Sequence, residues 1–320
     1  MREEDVVAAI RATFARHGVC GEEVDDDCSR IDHLLASHVT TDVVVEGVDF
    51  DRALSPLRFA GYRALAQNIS DLYANDCDPV GFMQALCVPR RYSLADVIAF
   101  CEGTAALAGA LGVPLLGGDL SRTDGPFTCA ITALGRAPGI AVTRQGARVG
   151  QGLWLTAPVG GSAAGLRVLL RDRPGDDELA FLGWREALPR AEQRAVRAHL
   201  EPRVVHHLER LSDFAVAAID VSDGLARDAS RLARSSGVAI DLDRVADAID
   251  TAAGATLDDA LGGGEDWVVL CAVPDGLVPE GCRRVGTVID GPPGAVFVDG
   301  VRVDDRGHDH FAPPGGAKHA

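Results

Sequence analysis

The sequence predicts a mixed α and β (α/β) protein of two domains. Three observations carry this expectation. A chain of 320 residues with 47% hydrophobic content exceeds the size of most single domains. Helical spacing alternates with short apolar runs of strand length, and one glycine-rich break interrupts the alternation near the middle. In chain order, FAGYRALAQNISDLYA places Leu65, Ile69, Leu72 and Tyr73 at helical spacing, and LADVIAFCEGTAALAGALG closes on the helix-stopping Gly112. VPLLGG, FTCAITALGRA, GLWLTAPVG, FAVAAIDVS, VAIDLD and WVVLCAVP have the length, apolarity and flanking turn residues of buried strands. LARDASRLARSSG reads as a helix whose apolar face is Leu225, Ala229 and Leu232 and whose stop is Gly237. The stretch APGIAVTRQGARVGQG is the expected boundary between an N-terminal domain, 1–140, and a C-terminal domain, 141–312, with 313–320 expected to be a mobile tail.

Charge narrows the partners. A formal net charge of -16 would repel a nucleic-acid duplex or an anionic membrane, so neither is an expected partner. The chain shows no signal-peptide pattern and no apolar run judged long enough to span a membrane, which places it in the cytoplasm. Eight cysteines without a CxxC, mostly in apolar segments, read as reduced core thiols. There is no GxxxxGK[ST], GxSxG or HExxH, and the GGSAAG stretch (Gly160 to Gly165) is by itself a weak signal for phosphate binding at a helix start.

The informative residues are acids that interrupt apolar segments. Asp42 lies between VTT and VVVEG; Asp71 shares a stripe with Asn68, Leu65 and Leu72; Asp119 ends VPLLGG; Asp220 and Asp223 flank Ser222 where VAAIDVS gives way to a helix. A carboxylate at the end of a buried strand is costly unless something pairs with it, and magnesium phosphate sites are built from such dispersed carboxylates. Each has a plainer alternative: Asp223 as an N-cap, Asp71 as a satisfied core carboxylate, Asp119 as a turn residue, and Asp25, Asp26 and Asp27 as a solvated charge run. GGGEDW adds two acids, Glu265 and Asp266, that read either as turn chemistry or as ligand-facing groups.

The ordered set DDDCSRI, VTTDVVVEGVDF, ALAQNISDL, LLGGDLSR, TRQGARVGQGLWLT, GGSAAGL, IDVSDGLARD, GGGEDW and GHDHF resembles the thiamine-monophosphate kinase family, within the aminoimidazole ribotide synthetase-like superfamily. The resemblance implies a two-domain fold in which the N-terminal α/β domain pairs across a homodimer and the C-terminal domain closes over the cleft. It implies an ATP- and Mg2+-dependent phosphotransferase acting on a small, phosphate-bearing molecule. By position it implies metal roles for Asp27, Thr40, Thr41, Asp42, Asp71, Asp119, Asp220 and Asp223. Nucleotide contacts fall on Gly118, Asp119, Arg144 and Ser222, and the catalytic set is Asp71, Arg144 and Asp223. Asp49, Glu265 and His308 take the substrate side, whereas Asp266 receives no role.

The departures gather near the acceptor: Asp49 where the family has histidine, His308 where it has an aromatic, and YANDCDP where it is small and apolar. Reversed charge at Asp49 and weaker stacking at His308 would disfavour thiamine monophosphate. Other readings are a kinase or an ATP-dependent ligase or cyclase with a different acceptor, and a non-catalytic nucleotide-binding regulator.

Overall fold

The computed structural model describes residues 29–30, 38–204, 210–303 and 306–308. Asp27 and the tail at 313–320 lie outside the described residues. The strands form two separate sheets, and a helix that is buried on nearly every side lies between them.

The first sheet has the order β1-β2-β5-β3-β4, made of β1 (Ser29–Arg30), β2 (His38–Val45), β3 (Asp78–Pro89), β4 (Leu115–Thr123) and β5 (Thr128–Arg136). All its pairings are antiparallel except β3 with β4, which are joined by the crossover helix α2 (Leu94–Leu111). Helix α1 (Leu57–Ala74) and α2 cover one face. They touch backbone to backbone: a Cβ on Gly61 would lie 1.9 Å from the Phe100 carbonyl oxygen, and one on Gly103 would lie 1.7 Å from that of Arg58. Only glycine permits that approach. Helix α2 starts on a Ser93/Asp96 capping box and ends on left-handed Gly112, as its sequence predicts.

Contrary to the expectation that no such run exists, α2 is long and apolar enough to cross a membrane by length and composition. Its apolarity reflects an Ala- and Leu-rich composition that packs Phe100, Leu107 and Ala108 onto the core of the first sheet.

The second sheet has the order β12-β11-β8-β10-β6-β9-β7: β6 (Gly152–Leu155), β7 (Ala217–Asp220), β8 (Ala239–Asp241), β9 (Val269–Val273), β10 (Arg283–Ile289), β11 (Val296–Val298) and β12 (Val301–Val303). The glycine-rich break falls between β5 and β6, between the two sheets. Helix α7 (Leu225–Ser236) packs Leu225, Ala229 and Leu232 against Ile219, Ile240 and Leu270. Helices α3 (Gly161–Asp172), α4 (Glu178–Ala187) and α5 (Arg190–Leu200) pack around Leu169, Phe181 and Val196, and Phe59 of α1 joins them with its ring 5.4 Å from that of Phe181. Two short helices, α6 (Leu211–Phe214) and α8 (Leu257–Gly262), and two 3-10 turns, Val245–Ala248 and Thr251–Ala253, complete the described elements.

Helix α1 organises both halves. A helix apolar on one side only would be a surface helix, but α1 has a weak stripe and is buried almost throughout. Its polar residues therefore face other protein rather than water. Among the described cysteines, all free, Cys77, Cys129 and Cys271 are buried as expected; Cys87 is exposed because β3 turns it to the uncovered face of the first sheet.

Candidate active site at the ends of α1

Strand alternation sorts the β2 residues. Thr40, Asp42 and Val44 point toward α1, whereas Thr41 and Val43 point to the uncovered face. Thr40 Oγ1 donates to Asp71 Oδ2 at 2.5 Å, joining β2 to the last turn of α1. One residue earlier on α1, Ser70 Oγ donates to Asp220 Oδ2 at the end of β7, 3.1 Å away. Asp42, Asp71 and Asp220, distant in sequence, thus meet around the C-terminal half of one helix.

Their electrostatics show what that costs. Burial, then the Asp220 charge, pushes Asp42 up to about 7. Burial, then Asp42 and Asp220, raises Asp71 well above the ordinary carboxylate range. Asp220 is raised by burial and partly relieved by the Arg144 guanidinium. Asp42 Oδ2 is buried without a hydrogen-bond partner. Buried like charges with an orphaned oxygen are the condition that a divalent cation relieves. Among the described residues no three His, Cys, Asp or Glu side chains converge as a ready-made metal cage. Mg2+ keeps waters and takes phosphate oxygens, so one or two carboxylates suffice, and the donor set here is all oxygen. The residues fit the ion.

The turn after β7 is held from below. Asp228, on the buried face of α7, accepts the N–H groups of Ser222 and Asp223 at 3.0 and 2.9 Å. Arg231 Nη1 pairs with Asp223 Oδ2 at 2.5 Å and with Asp228 Oδ1 at 2.9 Å. Asp223 is therefore not the helix N-cap; that position belongs to Gly224, without a side-chain cap. The His308 N–H donates to the Asp223 carbonyl at 3.0 Å, which docks His308 by its backbone on the same turn.

GGGEDW packs over this turn, with Glu265 N donating to the Ser222 carbonyl and Trp267 N to that of Val221. Glu265 and Trp267 have φ of 56° and 47°. Left-handed backbone at such side chains costs on the order of 1–3 kcal/mol each and is held only by surrounding contacts. The two acids divide their work. Glu265 pairs with buried Arg63 of α1 and lies 3.6 Å from His199 Nδ1, whereas Asp266 accepts Gly160 N and Ser162 N at 2.7 and 3.1 Å. Asp266 thus caps the start of α3. The Gly160 and Ser162 N–H groups of the GGSAAG stretch are engaged by protein, which removes the basis for reading them as phosphate donors.

Asp49 folds back on its own turn: its Oδ2 accepts the Val45 N–H at 2.7 Å. It still adds to the raising of Asp42. Asp76 of YANDCDP is turned inward, onto α6. It is 2% exposed and accepts from Leu211 N, Ser212 N and Ser212 Oγ of α6.

The described structure does not bring together every residue singled out. Thr41 Oγ1 bonds the Ile131 carbonyl on the opposite face from Asp42. Asp119, inside β4 rather than in a turn, and Gly118 lie on an exposed edge strand. Asp119 registers through Ala85 and Ala130 with Val43, three strand spacings or about 14 Å from β2. Residues not singled out include Ser70, Arg63, His199, Asp228 and Arg231. Only Asp228 had a usable signal, a carboxylate on the apolar stripe of Leu225, Ala229 and Leu232.

Comparison with known proteins adds the family. Residues 25–137 match the family described as AIR synthase related protein, N-terminal domain. Thiamine-monophosphate kinase of Salmonella typhimurium is 33% identical over 315 residues, covering 91% of this chain and 92% of that protein. The enzyme of the same name from Mycobacterium tuberculosis is 34% identical over 273 residues, covering 82% and 77%. A solved structure described as AaThiL complexed with AMPPCP and TMP superposes with a TM-score of 0.84 at 27% identity, covering 97% of each chain.

Proposed function

The chain belongs to the thiamine-monophosphate kinase family, and from that membership we propose that it transfers the γ-phosphoryl group of ATP to the phosphate of thiamine monophosphate, giving thiamine diphosphate and ADP. The observation that carries the proposal is the meeting of Asp42, Asp71 and Asp220 around α1, with their carboxyls raised and one oxygen orphaned. An oxygen of the acceptor phosphate attacks the γ-phosphorus while the bond to the β–γ bridging oxygen breaks, and ADP leaves with that electron pair. The acceptor is already an anion, so no strong general base is needed.

Bound Mg2+ would supply charge neutralisation between two anionic reactants. One or two carboxylates of the Asp42, Asp71 and Asp220 group would hold it together with waters and phosphate oxygens, with Thr40 fixing the orientation of Asp71. Asp223 and Ser222, kept in place by Asp228, would meet the triphosphate side, and Arg144 beside Asp220 would stabilise phosphate charge. Glu265 and His308 would face the acceptor. The Asp49 carboxylate folds back onto the Val45 N–H of its own turn, and this orientation favours the family substrate over a different one.

The proposal includes a homodimer. Val43 and Met83 on the uncovered sheet face are 51% and 44% exposed, and Leu115, Leu116 and Leu120 of edge strand β4 are 60%, 53% and 66% exposed. A second copy covering this surface would place Asp119 and Gly118 in its neighbour's nucleotide site, which accounts for their distance from Asp42 of their own chain. The domain division at 140/141 and a cytoplasmic enzyme belong to the same proposal.

Two experiments test it. Turnover of ATP with thiamine monophosphate, with the product identified by mass, tests the reaction; no product would overturn it. Asp71→Asn and Asp119→Asn should each be inactive, and mixing and re-equilibrating them should restore about a quarter of wild-type sites if each site uses both chains. No recovery on mixing would refute the shared site.

A further inference from the structure

We propose that Arg63 is a positioning residue that fixes the acceptor side of the site by holding Glu265, an inference that rests on the kinase reading above. Arg63 has no place among the residues that the family motifs single out, yet its surroundings are those of a built element. It is 7% exposed in the middle of α1. Its Nη2 pairs with Glu265 Oε1, its Nη1 donates to the Asp49 carbonyl at 3.3 Å, and its guanidinium lies 5.7 Å from the centre of the Trp267 ring. One side chain thus ties α1 to the turn after β2 and to the GGGEDW loop.

The loop needs such a tie. Glu265 and Trp267 both sit in left-handed backbone, a conformation that relaxes unless neighbours hold it. With Oε1 taken by Arg63, Glu265 presents Oε2 beside His199 Nδ1, 3.6 Å away. His199 is itself fixed 3.0 Å from Ser162 Oγ, and burial with the Arg63 charge holds it well below its ordinary pKa, hence neutral. Arg63 therefore sets the rotamer of Glu265 and adds to the burial that keeps its neighbour neutral. It also balances the Glu265 charge. The metal-side residues Ser70 and Asp71 lie two helical turns along α1, about 11 Å away, so the effect belongs to the acceptor and not to ATP.

The test is steady-state kinetics of full-length wild type, Arg63→Met, Arg63→Lys, Glu265→Gln and the Arg63→Met/Glu265→Gln double variant, with each substrate varied. Arg63→Met should raise the KM for thiamine monophosphate about tenfold or more and leave the KM for ATP within about twofold; Arg63→Lys should recover most of the loss. Glu265→Gln should raise the same KM, and the double variant should be no worse than the poorer single, because both act through one contact. A folded Arg63→Met with an unshifted acceptor KM overturns the proposal, as do equal losses for both substrates or full additivity in the double variant. If Arg63→Met does not fold, Arg63→Lys with and without Glu265→Gln reads the same coupling by the same criteria. Absence of wild-type turnover would count against the kinase reading itself and take this proposal with it, whereas normal wild-type turnover with unshifted variants removes the Arg63 role alone.

Discussion

Replacing Asp76 by glycine separates two explanations of a buried acid by the sign of the effect. Asp76 follows the end of α1 with φ of 56°; its N–H bonds the Tyr73 carbonyl, and Cys77 N bonds that of Leu72, the double closure of a Schellman motif. Glycine is the usual residue there. If Asp76 only ends the helix, Asp76→Gly relieves about 1 kcal/mol of left-handed strain, and the protein is unchanged or slightly stabilised. Its carboxylate, however, accepts Leu211 N and Ser212 N at 3.2 Å each and Ser212 Oγ at 2.6 Å, tying α6 to α1. Two backbone donors left without acceptors cost about 1–3 kcal/mol each, so after the relieved strain the net loss should be about 1–5 kcal/mol. Urea denaturation followed by tryptophan fluorescence gives the difference, with Asp76→Asn, which keeps one acceptor oxygen and tolerates the conformation, expected near half the loss. A glycine variant as stable as wild type, or more so, would refute the tie.

Three further outcomes follow from the site. Asp71→Asn should abolish turnover while the ligand-free Tm stays level or rises, since one buried charge of a repelling group is removed; loss of fold with normal activity per folded molecule would assign Asp71 to the core instead. Stability without metal should depend on pH through Asp42, pushed up to about 7 from 3.8. The unfolded chain ionises first as pH rises, so this group's contribution falls between about pH 4 and 7 and levels off above; Asp42→Asn should therefore exceed wild type in Tm by a margin that widens over that range in chelator and shrinks with Mg2+, and a constant margin would contradict the shift. Finally, the engaged Asp49 predicts a specificity constant for thiamine monophosphate of about 10⁴ M⁻¹s⁻¹ or more, with Asp49→His giving little gain; a large gain would show that Asp49 does repel the acceptor.

Helices α1, α2 and α7 and the apolar strands were legible because their periodicity is local: these helices end where Gly112, Gly237 and the apolar spacing say they should, apart from the Asp76 cap, whereas α4, α5, α6 and α8 were not singled out. Strand β3 was not singled out because Pro79 and Gly81 interrupt its pattern at a register shift, and β10 to β12 were missed because their runs are short or broken by charge. GLWLTAPVG and FAVAAIDVS shrank to four-residue strands, since the second sheet pairs only part of each apolar run.

For the site, the amino-acid order alone determined which acids were out of place, because a carboxylate in an apolar segment is costly wherever the fold buries that segment, as it does for Asp42, Asp71 and Asp220 but not for Asp119 on its exposed edge strand. What it could not determine is which of them meet. Asp42, Asp71 and Asp220 share a space only because β2 and β7 flank the same end of α1, and alternation turns Thr41 away while leaving Thr40 on Asp71. The partners of the remaining acids were likewise a tertiary matter: Asp266 on the start of α3, Asp228 under the Ser222 turn, Asp76 on α6, and Arg63 on Glu265. Apolar neighbours in sequence mark an acid as exposed to desolvation, but its burial and its relief by a hydrogen bond or an opposite charge depend on groups tens to hundreds of residues away, and only the folded chain brings those within reach.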